Sequence, residues 1–173
     1  MIITFSGCTY QVSNHLLENN FYNNKNIKLT VLLSSYDPYH PITRYIDDEL
    51  YLHHIQIIKN FNSNNIYDNY HIMSYLNIIK IIKNNIIISV YQNGMISEYQ
   101  LILKIQSELF FPNKKKYYPI NTNICRTLIN DPEIILSNMI QEDEIFEEMY
   151  KDAAYKIVKK IFIILDQYQK DIK

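Results

Sequence analysis

Glycine is nearly missing from this chain: Gly7 and Gly94 are the only two among 173 residues, tryptophan is absent, and Arg44 and Arg126 are the only arginines. Combined with heavy use of Asn, Ile, Lys and Tyr, this is the composition of an AT-biased coding sequence, of the kind found in some large DNA viruses and intracellular parasites. Cysteine is as sparse. Cys8 and Cys125 lie far apart in sequence, which excludes a disulfide scaffold and leaves free, buried thiols in a reducing compartment as the expectation. Charge of either sign is not in excess: 17 basic residues face 18 acidic ones. The balance gives no broad electrostatic footprint for nucleic acid or an anionic membrane.

Long hydrophobic runs are missing too. Residues 78–91 and 157–165 are the most apolar stretches, and both are too short, or too often broken by Lys and Asn, to span a hydrocarbon core. Met1–Phe5 has no basic flank and gives way to Ser6-Gly7, so no signal peptide is visible. These absences predict a soluble, intracellular protein of the cytoplasm (the host's cytoplasm if viral), folded as one domain over residues 1–173.

What is present reads as alternating strands and helices. Met1–Phe5 and Leu29–Leu33 are short apolar runs that predict strands, and the second ends in the turn-prone Ser34 to Pro38. Ile46, Leu50, His53, His54, Ile57, Ile58 and Phe61 recur at helical spacing and predict a long helix after Pro41. Tyr70, Met73, Leu76, Ile79 and Ile82 predict another over 66–82. Ile86–Tyr91 predicts a central parallel strand buried on both faces. Glu98–Phe110 reads as helix, Phe111–Tyr118 as a basic loop and Ile124–Ile129 as a strand. Three helical segments complete the chain: one starting at Pro132, the acidic run 142–148, and 155–164. Strands joined through helices imply a three-layer αβα fold with a mostly parallel sheet.

Several segments carry a resemblance. "IITFSG" followed by "NHLL", then "PITRYIDDEL", "ISVYQNG", "TLINDPEIILSNM" and "EDEIFEEMYKDAAYKI" resemble, in order and spacing, the thymidylate kinase family of P-loop nucleoside monophosphate kinases, in its eukaryotic and poxvirus branch. The resemblance implies a phosphate loop after the first strand, where a glycine-rich turn, a lysine and a hydroxyl would hold phosphate and Mg²⁺. Only Gly7 of that motif is kept; Val12, Ser13 and Asn14 stand where the second glycine, the lysine and the hydroxyl belong. Ser89 and Val90 stand at the family's Asp-Arg pair, and the lid arginine is missing around Asn138. Phosphoryl transfer depends on neutralising the moving group. The resemblance therefore implies an inactive kinase-like protein serving as a dimerising or partner-binding module, with no cofactor expected. The alternatives are a divergent active dTMP kinase using ATP and Mg²⁺, and an unrelated α/β interaction protein. Tyr39, His40, Arg44 and Tyr91 are the candidate ligand contacts. Segments 46–58 and 66–79, read as helices, are the candidate faces for a homodimer or a protein partner, with neither membrane nor nucleic acid as partner.

Three further features have plainer readings. His40, His53, His54 and His71 lack the spacing of metal ligands, so no metal site is expected. Arg44 beside Asp47 and Asp48 reads as a surface ion pair. Lys114-Lys115-Lys116 followed by Tyr117-Tyr118 joins charge to aromatic rings as a nucleic-acid surface does, but a solvated loop suffices to explain it.

Overall fold

The computed structural model describes residues 28–35, 37–58 and 71–170. Chain order is β1 (Lys28–Ser35), α1 (Pro41–Leu52), β2 (Gln56–Ile58), β3 (His71–Val90), β4 (Ile96–Phe111), a 3₁₀ turn (Pro112–Lys114), β5 (Lys116–Ile129) and α2 (Ile135–Lys170). The sheet has five strands in the order β2-β1-β3-β4-β5. β1 is parallel to β2 and β3, while β3, β4 and β5 form an antiparallel meander. Side chains from one sheet face and from both helices make one core that includes Val31, Ile46, Leu103, Ile124 and Ile157.

This corrects the expected fold class. The sheet is mixed rather than mostly parallel, and it is not layered between helices as a P-loop kinase sheet is. The strand at Leu29–Leu33 is present as part of β1, and Ile124–Ile129 as the end of a longer β5. Residues 71–82, expected as helix, are strand, and so is Glu98–Phe110. The reason is visible in the burial. Ser74, Leu76 and Ile78 are buried on β3, and Leu101, Leu103, Ile105, Ser107, Leu109 and Phe111 on β4, a period of two. So much isoleucine surrounds them that apolar positions can also be threaded at spacings of three and four; β-branching and alternation decide for the strand. Fully burying each of these aliphatic side chains stabilises the fold by about 1.5–3 kcal/mol.

Ile86–Tyr91 is also not a central parallel strand. It is the far arm of β3, paired antiparallel to β4, and Ile86, Ile87, Ile88 and Val90 are exposed. Gln92-Asn93-Gly94 closes the hairpin between them. The Tyr91 N–H donates to Met95 O at 2.7 Å, the Met95 N–H donates to Asn93 Oδ1 at 3.0 Å, and Gly94 takes φ +83°, which a residue with a Cβ rarely adopts.

α1 begins on a histidine. His40 is its N-cap, Nδ1 accepting the Ile42 N–H at 3.3 Å, and Pro41 supplies the first helical φ. Ile42, Ile46 and Leu50 are buried; the helix then ends at Leu52, well short of the expected Phe61. α2 merges the three expected C-terminal helical segments into one helix of 36 residues, about 54 Å long at 1.5 Å per residue. Its inward stripe runs Phe146, Met149, Tyr150, Ala153, Ile157, Ile161, Leu165 and Tyr168, and Ala153 and Ala154 let its backbone approach the sheet.

β5 is an edge strand, and its outer backbone is partly covered. Lys160 Nζ donates to Asn121 O, and Arg126 Nη1 donates to Cys125 O at 3.3 Å. Residues two apart present their polar groups to the same side, so Pro119 falls in this set and offers no N–H. The edge is thereby blunted against pairing with another strand.

Burial pushes the His40 imidazole below its usual pKa of 6.5, and Lys83 adds to the effect, while Asp37 and Glu147 oppose it. The folded protein thus holds His40 neutral where the unfolded chain would take a proton. Stability is full above pH 6.5 and declines as pH falls through 6.5 toward the lowered folded value. A thermal melt from pH 7.5 to 5 should show that decline in the wild type and a flatter profile in His40→Asn, which keeps a capping oxygen but does not titrate.

Candidate functional site

The 3₁₀ turn between β4 and β5 carries three consecutive lysines. Pro112 fixes its entry, the Lys115 N–H donates to Pro112 O at 3.2 Å, and Lys115 sits in the left-handed region at φ 51°, ψ 38°. Lys114, Lys115 and Lys116 are all exposed. Because neighbours on a strand point to opposite faces, the residues flanking the turn divide into two aromatic groups.

On the helix side, the Phe111 ring is buried and stacks on Tyr168 of α2 at 4.3 Å and 16°, with Tyr118 edge-on at 5.7 Å. Lys114 Nζ lies 4.7 Å over the Tyr168 ring and Lys116 Nζ 4.9 Å over Tyr118. Such contacts contribute about 0.5–1 kcal/mol each at exposed sites. Burial raises the Tyr168 hydroxyl above its usual pKa, with Tyr118 adding to this and a hydrogen bond from Asn113 opposing it. Tyr168 therefore stays a neutral phenol in the physiological range. On the open face, Tyr75, Phe110 and Tyr117 form a row across three strands, with ring centroids 6.0 and 4.3 Å apart. Tyr117 is 60% exposed. The result is a cluster of three exposed cations, two of them over rings of the helix-side group, beside a second aromatic row on the open face, which suits an anionic, ring-bearing ligand.

The residues singled out in the sequence fall elsewhere. Gly7, Val12, Ser13 and Asn14 lie outside the described residues. Ser89 Oγ is 2.6 Å from Ser97 Oγ and donates to Glu98 at 3.1 Å, and Val90 is exposed beside it. Tyr91 Oη donates to Asn130 O at 3.2 Å. Tyr39 is 97% exposed, its N–H held by Asp37 Oδ1 at 3.1 Å. His40 packs edge-on to Tyr150, and Arg44 lies over the Tyr45 ring at 5.0 Å. Tyr150 and Tyr168 are eighteen residues apart on α2, roughly 27 Å, so His40 and the lysine turn belong to different regions. Among the described residues no group of three or more His, Cys, Asp or Glu is placed to hold a metal.

Asn138 has a role unlike that of a vacated arginine position. It is buried at the start of α2, where Nδ2 donates to Asn130 Oδ1 at 3.1 Å and to Asp131 O at 2.6 Å, and Oδ1 accepts the Asp131 N–H at 3.3 Å. Asn130 in turn donates from Nδ2 to Ile96 O at 2.8 Å. This pair ties the helix, the end of β5 and the β3–β4 hairpin together.

The sequence model of the LptE family, described as lipopolysaccharide-assembly, matches residues 29–161, from β1 into the last third of α2. The chain belongs to the LptE family. It is 27% identical over 135 residues to the LPS-assembly lipoprotein LptE of Pectobacterium atrosepticum, covering 78% of this chain and 69% of that one. In fold it is similar to rare lipoprotein B from Shewanella oneidensis, with TM-score 0.69 and 24% identity over 81% of this chain and 98% of the other. A lipoprotein B from Nitrosomonas europaea is also similar, at TM-score 0.62 and 14% identity over 82% and 90%.

LptE membership overturns the thymidylate-kinase resemblance together with the nucleotide, P-loop and viral associations drawn from it. The kinase-like segments match in order and spacing, but of their chemistry-bearing positions only Gly7 is kept. A match confined to spacing between Ile-rich segments is one that many folds satisfy. The cytoplasmic placement is overturned as well: the family is one of lipopolysaccharide assembly, and the relative from Pectobacterium atrosepticum is a lipoprotein. Cys125, expected buried, is exposed. A protein partner stands as the coarser reading, but the homodimer does not: Ile46 and Leu50 are spent in the chain's own core, and 71–79 is strand. Among the described residues no helix is long and apolar enough to cross a membrane.

Proposed function

We propose that this chain works in lipopolysaccharide assembly at the bacterial outer membrane, where its Lys114–Lys116 turn binds the phosphorylated sugar headgroup of lipopolysaccharide. The observation that carries the reading is the turn itself: three exposed lysines between the Phe111–Tyr118–Tyr168 and Tyr75–Phe110–Tyr117 groups. Family membership supplies the ligand class. Ammonium groups act on phosphate as compact charges, and the rings offer faces to the apolar sides of sugars. Intact lipopolysaccharide should therefore bind more tightly than enzymatically dephosphorylated lipopolysaccharide, with an affinity that falls as salt is raised. Equal binding of the two forms, measured by equilibrium titration, would remove the lysines from the account.

The relative's designation as a lipoprotein bears on Cys8. Ser6-Gly7-Cys8 has two small residues before a cysteine, the order in which bacterial lipoproteins carry a diacylglyceryl thioether. Two acyl chains anchor a protein stably where one does not. Cys8→Ser should release the protein from the membrane fraction, and mass spectrometry of the wild type should find the acyl groups on Cys8. An unmodified Cys8 in membrane-bound protein would exclude it as the anchor.

A further inference from the structure

α1 is fastened at its start by a side chain that loses its hold when it takes a proton. His40 accepts the Ile42 N–H through Nδ1 at 3.3 Å, so a lone pair faces the helix and the ring proton sits on Nε2. An imidazolium has two donors and no acceptor. Protonation therefore sets one N–H against another at the cap. The turn in front is tied together through one residue: Asp37 O accepts the His40 N–H at 3.3 Å, the Thr43 hydroxyl at 3.3 Å and the Ser35 hydroxyl at 3.0 Å. The His40 ring stands at 87° to that of Tyr150 on α2, with centroids 5.1 Å apart, and Tyr150 is buried.

Titratable groups face this ring from every element packed there: Asp37 before α1, Arg44 and Tyr45 on α1, Lys83 on β3, and Glu147, Tyr150 and Lys151 on α2. Lys83 Nζ already lies 5.2 Å over the Tyr150 ring and 4.5 Å over Phe146, so an imidazolium would share Tyr150 with a second cation. The carboxylates are engaged elsewhere. Asp37 Oδ1 accepts the Tyr39 N–H at 3.1 Å, and Glu147 Oε2 accepts the Tyr45 hydroxyl at 2.5 Å. We propose that residues 37–42 form an acid-opened latch: a proton on His40 breaks the cap and frees the first turn of α1 from Tyr150, while the rest of the helix stays docked. In the opened turn the imidazolium keeps Asp37, which belongs to the same turn, and leaves Lys83 and the Tyr150 ring behind. The far end of α1 is built differently. His53 Nε2 lies 3.4 Å from Glu49 Oε1, with its ring 5.0 Å from that of Phe162, an ion pair that mild acid does not break.

Hydrogen exchange of the full-length protein at pH 7.5 and 5.5, with exchange times scaled for the intrinsic rate, tests the latch. Opening that follows a proton on an imidazole of ordinary pKa 6.5 can gain at most about tenfold at pH 5.5. Protection of the amides in 42–46 should fall several-fold within that limit, while 49–52 and β4 around Leu103 hold theirs. His40→Asn, which caps without titrating, should show no such fall, and Lys83→Gln, which removes the second cation at Tyr150, a smaller one. Should the asparagine variant fold poorly, the wild type decides alone: by NMR the Ile42 amide and the His40 ring nitrogens should titrate together. A fall shared by the whole helix or by β4, an undiminished fall in either variant, or an Ile42 amide that ignores the ring's titration would each overturn the proposal. Lipopolysaccharide is absent throughout, so the latch and the headgroup site fail separately.

Discussion

Replacing Lys114, Lys115 and Lys116 together by glutamate should weaken lipopolysaccharide binding by about 100-fold, which is roughly 2.7 kcal/mol, with little loss of fold. Each exposed lysine close to a phosphate contributes about 1 kcal/mol or more at low ionic strength, and reversal turns that attraction into repulsion. The cost to folding is small by comparison. The cation contacts over Tyr168 and Tyr118 would be lost, about 0.5–1 kcal/mol each, while Phe111 stays buried against Tyr168. Position 115 keeps its left-handed backbone, where glutamate is no more strained than lysine. Titration calorimetry would read the affinity and a thermal melt the fold. A variant that melts normally and binds normally places the headgroup elsewhere.

Asn138→Ala should destabilise the protein by about 2–4 kcal/mol, the loss expected when three hydrogen bonds disappear and buried partners are left unmatched. Asn130 Oδ1, Asp131 O and the Asp131 N–H all lose their acceptor or donor. The loss should be uneven. Hydrogen exchange should accelerate in the hairpin arm 86–98 and the first turns of α2, while β4 and β5 around Leu103, Ile105 and Ile124 keep their protection. A uniform loss, or none, would mean that the hairpin is held to the helix by packing rather than by this pair.

Some of this was legible in the sequence. β1 is announced by Leu29–Leu33, and α1 by Ile46 and Leu50 behind Pro41, because a proline at the first helical position and a three-to-four spacing agree there. The hairpin is half legible: Gln92-Asn93-Gly94 is a turn signal, but the apolarity of Ile86–Tyr91, which suggests an inner strand, belongs to an exposed arm. The long strands β3 and β4 are not legible as strands because isoleucine occurs on both their faces among Lys, Asn and Gln, which blurs the difference between a period of two and one of 3.6. The lysine turn reads as a solvated loop in the sequence, since nothing in "FPNKKKYY" says that rings from β3 and α2 will gather around it. Tyr75 and Tyr168 come from 42 residues before and 51 residues after Tyr117, and only the fold brings them together. Asn138 stands where the resemblance places an arginine, but its own partners, Asn130 and Asp131, lie only eight and seven residues earlier.

The most direct measurement of the central claim is photocrosslinking of lipopolysaccharide by benzoylphenylalanine placed at Tyr117 or, separately, at Tyr39. Both side chains are exposed, but only the first adjoins the lysine turn. The protein with the label at 117 should yield a covalent adduct carrying the lipopolysaccharide headgroup, abolished by the Lys114–Lys116 reversal, and the label at 39 should yield none. Equal adducts at both positions, or an adduct at 39 alone, would contradict a headgroup site at the basic turn.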